Sequence, residues 1–354
     1  MKHLLLKAAV ALLLPVTALS QNTPYKNLVL EGGGVRGFAY AGALEVLDSV
    51  GVLQTVERVG GTSAGAIQAM LLGVGYTPHE IMELIAGIKP QAFNDGAWFV
   101  GTGVRRLKKQ FGYYKGEKIA GWIEQLIAAK TGDGDITFAE LHQQRTTKGY
   151  KDIYITGTDL TYQCLRIFSY EQYPDMRLKD AVRISLSIPL YYKPVLIDDQ
   201  GKVYEQADNK KGLHLMVDGG ALSNYPIAIF DSSRYVTGAT PAVNSYMENP
   251  ETLGLMMEMP EQIEYNKTQT GKYPLAIRTM KDYIKAMYVT LIDKVSPEAE
   301  GKTQYHRTIT ISTLNQSGRV RKLPAKAIQD WMNSGREGAR RFLGITDVME
   351  NKTL

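Results

Sequence analysis

Apolar residues recur along this chain in two rhythms, short unbroken runs and longer stretches at helical spacing, separated by glycine-rich or polar breaks. Asn27-Leu28-Val29-Leu30 reads as a buried strand. Phe38 to Val50 predicts a helix, with Phe38, Ala41, Leu44, Leu47 and Val50 on one stripe and Gly51 as its stop. Thr55 to Val59 is a β-branched run, and Ala66 to Leu72 favours helix. Gly116 to Lys130 predicts an amphipathic helix with Ile119, Ile123, Leu126 and Ile127 on one side. Lys151 to Thr158 and Gln163 to Ser169 read as strands joined through Asp159-Leu160, and Leu178 to Leu186 as a helix ending at Ile188-Pro189. Tyr191 to Val217 suggests two or three strands, with a polar turn at Asp208 to Lys211 and the last strand at Leu213 to Val217. This alternation predicts an α/β fold whose mainly parallel central sheet is covered on both faces, a three-layer α/β/α arrangement. Active sites in such sheets gather at the carboxyl ends of the strands.

Three breaks carry candidate chemistry. Gly61-Thr62-Ser63-Ala64-Gly65 joins a strand to a helix, and a serine there would stand on a sharp turn at a helix N-terminus. Its neighbours are small because a tight turn leaves no room beside the nucleophile, and Gly61 and Gly65 reach conformations that other residues resist. Glu31-Gly32-Gly33-Gly34-Val35-Arg36-Gly37 also sits between strand and helix, where bare backbone amides can converge on an anion. Gly32, Gly34 and Gly37 fit the G-x-G-x-x-G dinucleotide pattern too. The acidic residue near the expected distance, Glu57, however precedes the serine turn instead of closing a ribose pocket. A glycine loop followed by such a turn on the next strand describes an oxyanion hole beside a serine. The third break is Asp218-Gly219-Gly220, followed by Ala221-Leu222-Ser223-Asn224-Tyr225-Pro226, an aspartate at a strand's end. By itself it is equally a common turn.

In order and spacing these motifs resemble the patatin-like phospholipases, over about Lys26 to Pro226. Glu31 to Gly37 resembles that family's oxyanion loop, Gly61 to Gly65 its elbow, and Asp218-Gly219-Gly220 its aspartate motif; Thr158-Asp159-Leu160 and Ala181 to Pro189 are more diffusely similar. The resemblance implies Ser63 as nucleophile and Asp218 as a base acting directly, without an intervening histidine. Gly33, Gly34 and Ala64 would supply the oxyanion amides, supported by Gly32, Arg36, Gly37, Gly61, Gly65, Gly219 and Gly220. It implies an acyl-enzyme route on phospholipid or another fatty-acyl ester, with no cofactor and no calcium. Arg36 would steady the glycine loop or make a surface ion pair. Two alternatives stay open: a broader carboxylesterase or thioesterase on the same scaffold, and a non-catalytic dinucleotide- or lipid-binding protein.

Composition narrows the setting. Lys2 and Lys7 flank an apolar run from Leu4 to Leu14, followed by small residues, which reads as a cleavable secretory signal over residues 1–20, cut after Ala18 or Ser20. The expected location is therefore secreted or periplasmic. Removing those lysines lowers the formal charge from +5 to +3, which gives little support to nucleic-acid binding. Cys164, the single cysteine, excludes an internal disulfide. The five histidines are scattered and suggest no metal site; His79 falls in the capping sequence Thr77-Pro78-His79-Glu80, and His214 is the one nearest a motif. Lys89 to Lys118 interleaves Phe93, Trp98, Phe99, Phe111, Tyr113 and Tyr114 with Arg105, Arg106, Lys108 and Lys109. That suits either a cap touching a lipid surface or a basic helix with its aromatics in the core. Beyond Pro226, Asn244 to Asn249 reads as a loop, Thr279 to Val295 as a helix with Tyr283, Met287 and Leu291 on a stripe, Thr308 to Leu314 as a strand and Pro324 to Leu343 as a helix. With no repeat or linker between them, residues 21–354 are expected to form one domain, its motif-bearing core at about 26–226 and a C-terminal extension at 227–354.

Overall fold

The computed structural model describes residues 25–96, 100–205, 212–240, 246–269, 271–280, 282–283, 286–287, 304–316, 318 and 324–345. The chain begins with β1 (Asn27–Leu30), α1 (Ala39–Ser49), α2 (Val52–Thr55), β2 (Arg58–Gly61), α3 (Ala64–Gly73), α4 (Pro78–Gly87) and α5 (Val100–Gln110). Next come β3 (Gly112–Tyr114), α6 (Glu117–Thr131), α7 (Phe138–Lys148), β4 (Asp152–Asp159), β5 (Cys164–Phe168), α8 (Leu178–Ser185) and β6 (Leu190–Tyr192). It continues with β7 (Val195–Ile197), β8 (Val203–Tyr204), β9 (His214–Asp218), β10 (Thr252–Glu258), α9 (Pro260–Tyr265), β11 (Thr308–Ser312) and a C-terminal helix (Ala325–Leu343).

Strands β11, β10, β1, β2 and β4 lie side by side and parallel. The main core covers one face of this sheet: Leu28 and Leu30 of β1 point into it, with Leu44 and Leu47 of α1, Met70 and Leu71 of α3, and Trp331 of the C-terminal helix. Val29, between the two leucines, faces the other way, against Tyr154, Ile227 and Phe230. Among the described residues that second face is covered here by the 3-10 turn Ile227–Phe230 and its neighbours. The helix boundaries follow local chemistry. Thr77 and Thr137 each close a reciprocal capping box, with Glu80 and Glu140. Glycines at positive φ, Gly132 and Gly149, cap the ends of α6 and α7.

The pairing along β4 builds the site. Ile155 pairs with Gly61 of β2 and with Phe168 of β5, so those two strands occupy opposite edges of β4. Gly157 pairs with Arg166 of β5 and with Asp218 of β9. Strand β9 therefore shares β2's edge. One strand climbs that edge and stops at the level of Ile155; the other descends it, antiparallel, and stops at Gly157. Their carboxyl ends face each other across Thr156. All three motifs follow the carboxyl ends of strands, β1, β2 and β9, but not all of these strands run parallel. Asp218 reaches that level from the opposite direction, on an antiparallel β9–β7–β8 unit.

Two further differences have local causes. The β-branched run expected from Thr55 gives a strand only from Arg58, because Val52–Thr55 closes a helical turn after Gly51. The apolar run Leu253 to Met257 lies within β10, a central strand paired with β1 that the sequence pattern does not predict. So β10 and β11 extend the motif-bearing sheet itself. A buried two-pronged ion pair of Arg307 with Asp231 (2.7 and 2.6 Å) ties the start of β11 to the segment after Phe230. The expected signal at 1–20 and the turn at 208–211 lie outside the described residues, as do most of the expected helix at 279–295 and part of the loop at 244–249. Among the described residues no helix is long and apolar enough to cross a membrane.

Candidate active site

At the end of β2 the chain turns through Thr62 and Ser63 into α3. Ser63 has φ 52° and ψ −117°, a left-handed conformation that a residue with a Cβ adopts only under constraint. Close backbone contact supplies that constraint. A Cβ on Gly65 would stand 2.2 Å from the Leu30 carbonyl oxygen, and one on Gly61 would stand 2.5 Å from the Gly65 carbonyl. The Ser63 amide donates to Ser185 Oγ at 2.8 Å, while the Thr62 hydroxyl bonds Thr156 Oγ1 (2.6 Å) and the Ser223 carbonyl (3.1 Å).

Asp218 arrives from the other side. Its amide donates to the Ser187 carbonyl at 3.0 Å, and its Oδ1 accepts from the Gly220 amide at 2.8 Å. The Ser63 side chain is near enough to this carboxylate to favour its charged form. Burial raises the Asp218 pKa to about 6, the bond from the Gly220 amide and the nearby Ser63 hydroxyl opposing it. Such a carboxylate is ionised at neutral pH yet more basic than a solvated one.

The glycine loop lies over this pair. A Cβ on Gly32 would be 3.3 Å from Ser63 Cβ and 2.4 Å from Asn224 Oδ1, and one on Gly37 would press on Ala64 Cβ at 2.8 Å. The Gly32 amide donates to Asn224 and the Val35 amide to Gly318. The amides between them, Gly33 and Gly34, are outside these bonds, as is that of Ala64 at the start of α3, where helix geometry leaves donors free. Arg36 Nε donates to the Gly33 carbonyl at 3.2 Å, so of its two expected placements it takes the one on the loop. The structure therefore places Ser63, Asp218, Gly32, Gly33, Gly34, Arg36, Gly37, Gly61, Ala64, Gly65, Gly219 and Gly220 around one point of the sheet.

Several supports were not anticipated. Asn224 Nδ2 donates to Glu31 Oε1 (2.9 Å) and to the Gly32 carbonyl (3.0 Å), and Glu31 Oε2 accepts from the Met257 amide (2.7 Å). Glu31 thereby clamps the glycine loop to the Asp218 loop and to β10. Ser185 and Ser187 hold the backbones of Ser63 and Asp218, with buried Arg183 donating to Ser187 Oγ at 2.6 Å. The sequence offered one usable signal, a charged residue opening the glycine loop. The serines are legible only once α8 is known to end beside the elbow.

Burial also raises the Glu31 pKa, to about 7, against the opposing bond from Met257, the charge of Arg36 and the bond from Asn224. Glu31 and Asp218 thus keep protons in the folded chain that the unfolded chain releases near pH 4. Their contribution to stability is largest below pH 4 and declines toward pH 6 to 7, by on the order of 3 kcal/mol apiece. Glu31→Gln should consequently melt progressively higher relative to the parent as pH rises from 5 to 8. A melting difference that stays constant with pH would contradict this.

Among the described residues no cluster of three or more His, Cys, Asp or Glu side chains could hold a metal ion. His214 is engaged elsewhere, its Nδ1 to Asp159 (2.6 Å) and its Nε2 to Asp199 (2.8 Å). His79 is an exposed helix residue, as its capping sequence suggests. Glu57, the acid a dinucleotide site would require, is nearly half exposed and pairs with Lys26 and Arg58.

A sequence model of the family described as patatin-like phospholipase matches residues 28–231. An uncharacterized protein, R571, of Acanthamoeba polyphaga mimivirus is 31% identical over 267 residues, 75% of each chain. The probable lipid hydrolase 463L of invertebrate iridescent virus 6 is 27% identical, covering 64% of this chain and 73% of that one. Among solved structures, VipD of Legionella pneumophila superposes with a TM-score of 0.53 at 16% identity, over 91% of this chain and 67% of that one, a likeness of fold. By its sequence match, and in keeping with the elbow, glycine loop and aspartate turn that its strands bring together, the chain belongs to the patatin-like phospholipase family.

Proposed function

We propose that this protein is a serine lipid acyl hydrolase that works through a Ser63–Asp218 dyad. The observation that carries the reading is the head-on approach of β2 and β9 along one edge of β4, which sets a hydroxyl against a buried carboxylate beneath free amides. Ser63 Oγ attacks the ester carbonyl as its proton passes to Asp218. The oxyanion is held by the amides of Gly33, Gly34 and Ala64, each worth on the order of 3 kcal/mol in such sites. Collapse breaks the ester bond, and the leaving alcohol takes the proton from Asp218. Water then attacks the acyl-enzyme, gives a proton to Asp218, and the fatty acid departs as Ser63 recovers its hydrogen. The family match and the lipid-hydrolase relative support a lipid ester as substrate. Fatty-acid release from long-chain phospholipid vesicles by the purified protein, and its loss in Ser63→Ala, is the test. Hydrolysis of short soluble esters alone would favour the broader carboxylesterase reading.

A lipid-surface contact belongs to the same proposal. The segment before α6 divides between the two roles considered for it; its Trp98 and Phe99 lie outside the described residues. Tyr114 packs against Tyr113, Tyr191 and Tyr192, Phe93 packs on Trp122, and Arg106 is tied to the carbonyls of Gly96 and Tyr113. Leu190, which pairs with Gly112, and Phe111, next to that pair, are instead 67% and 47% exposed, and both hold left-handed backbone. Arg105, Lys108 and Lys109 are exposed on the adjoining helix. Ser187, which holds Asp218, lies three residues before Leu190, so this apolar and basic edge adjoins the site. The double variant Phe111→Ser, Leu190→Ser should bind anionic phospholipid vesicles at least about tenfold more weakly while keeping its rate on a short soluble ester. Undiminished cosedimentation would remove this contact. Secretion or periplasmic location remains a proposal from residues 1–20, open to N-terminal sequencing of the mature protein.

A further inference from the structure

Beside the elbow lies a cavity of about 50 Å³, lined by Gly34, Gly37 and Ala64 together with Leu71, Ile85 and Trp122. Nearly all of its lining is apolar, with one exception. Gln68 of α3 lines the cavity, is 3% exposed, and its buried Oε1 has no hydrogen-bond partner among the described residues. A buried amide without a hydrogen-bond partner is uncommon and costly, and in an apolar wall its end toward the cavity marks a place where a ligand supplies a partner.

The position of Gln68 limits what that partner can be. Ala64 and Gln68 are four residues apart on α3, so they share a face about 6 Å apart along its axis. Long helical side chains lean toward the N-terminus, which brings the amide back toward the elbow. The cavity admits about three or four water-sized groups, so what it receives is the start of a chain. Among the described residues no charged side chain lines it, which suits a neutral partner. A hydroxyl both donates and accepts, and it satisfies the Gln68 amide whichever of its two ends faces the cavity.

We infer that this cavity takes the first carbons of the acyl chain of a hydroxylated fatty-acyl ester, whose hydroxyl, near the third carbon, pairs with Gln68. This rests on the acyl-hydrolase reading above and adds the substrate class. Gln68 acts here as a specificity residue; the chemistry stays with the elbow and the aspartate.

The experiment compares kcat/KM for 4-nitrophenyl decanoate with the 2-, 3- and 4-hydroxydecanoate esters, in the native sequence and in Gln68→Leu. The native enzyme should favour the 3-hydroxy ester over the unsubstituted one by about tenfold or more, since a site with an unpaired polar group discriminates against a substrate that cannot fill it. Gln68→Leu should erase the preference, bringing the ratio of the 3-hydroxy to the plain ester to about one. Hydrolysis of all four esters at equal efficiency by the native enzyme would overturn the inference while leaving the acyl-hydrolase reading intact. It would mean that a buried water alone serves Gln68. A preference that persists in Gln68→Leu would overturn it likewise, and hydrolysis of none of the esters would overturn both. The native enzyme's ratio decides the matter even if the variant fails to fold; should it fail, Gln68→Met repeats the comparison.

Discussion

Asp218→Asn should lose on the order of 10³- to 10⁴-fold in kcat/KM on its ester substrate while remaining folded, and should melt above the parent at neutral pH. The loss follows from the proton path. An amide next to Ser63 cannot accept the hydroxyl proton, and His214, the only histidine near the motif in sequence, is occupied by Asp159 and Asp199. The gain in stability follows from the same burial that makes Asp218 a useful base. Its pKa of about 6 means that the native fold bears an ionised buried carboxylate at pH 7 and above, a cost that the isosteric amide avoids. The Gly220 amide bond can persist through the asparagine oxygen, so the turn stays supported. Turnover and thermal melting of the variant, measured together at pH 7.5, check both halves. An inactive variant that melts well below the parent would point to a structural aspartate.

The second large effect is expected at a position with no chemistry of its own. Gly65→Ala should destabilise the protein by roughly 3 kcal/mol or more, or prevent folding, and should abolish activity. The added methyl would meet the Leu30 carbonyl oxygen at 2.2 Å, its carbon at 2.6 Å and the Glu31 carbonyl oxygen at 2.8 Å. All three are backbone atoms at the end of a strand paired on both sides, so no side-chain rotation relieves the clash. Any shift that did would open the distance between elbow and glycine loop, the dimension on which oxyanion binding depends. Denaturant unfolding measures the stability change; a variant within 1 kcal/mol of the parent would show that the elbow is less constrained than its contacts imply. Gly212, at φ 79° with nothing near its would-be Cβ, is a control in which an alanine meets backbone strain alone.

Which parts of this were legible beforehand follows from how local their causes are. The elbow and glycine loop were legible because tight turns at strand ends need small residues at fixed intervals, whatever surrounds them. The helix starts at Thr77 and Thr137 depend only on the next three residues, which makes such ends legible in the sequence. The direction of β9 was not legible. Its five residues carry the same pattern whether they run parallel or antiparallel, and the pairing of Gly157 with Asp218 decides it. Strand β10 was missed because Leu253 to Met257 is a short apolar run, equally compatible with a buried helix segment. Only its place beside β1 identifies it. Glu31 could be seen as a charge opening the glycine loop, but its partners Asn224 and Met257 stand 193 and 226 residues away.

The central claim is that Ser63 is a nucleophile whose proton goes to Asp218, and covalent labelling tests it most directly. A fluorophosphonate probe should attach to the peptide containing Ser63, at a rate that rises about tenfold per pH unit below pH 6 and levels above it. In Asp218→Asn the rate should fall by at least about a hundredfold, and Ser63→Ala should take up no label. Label on another residue, or undiminished labelling of Ser63 in Asp218→Asn, would contradict the dyad.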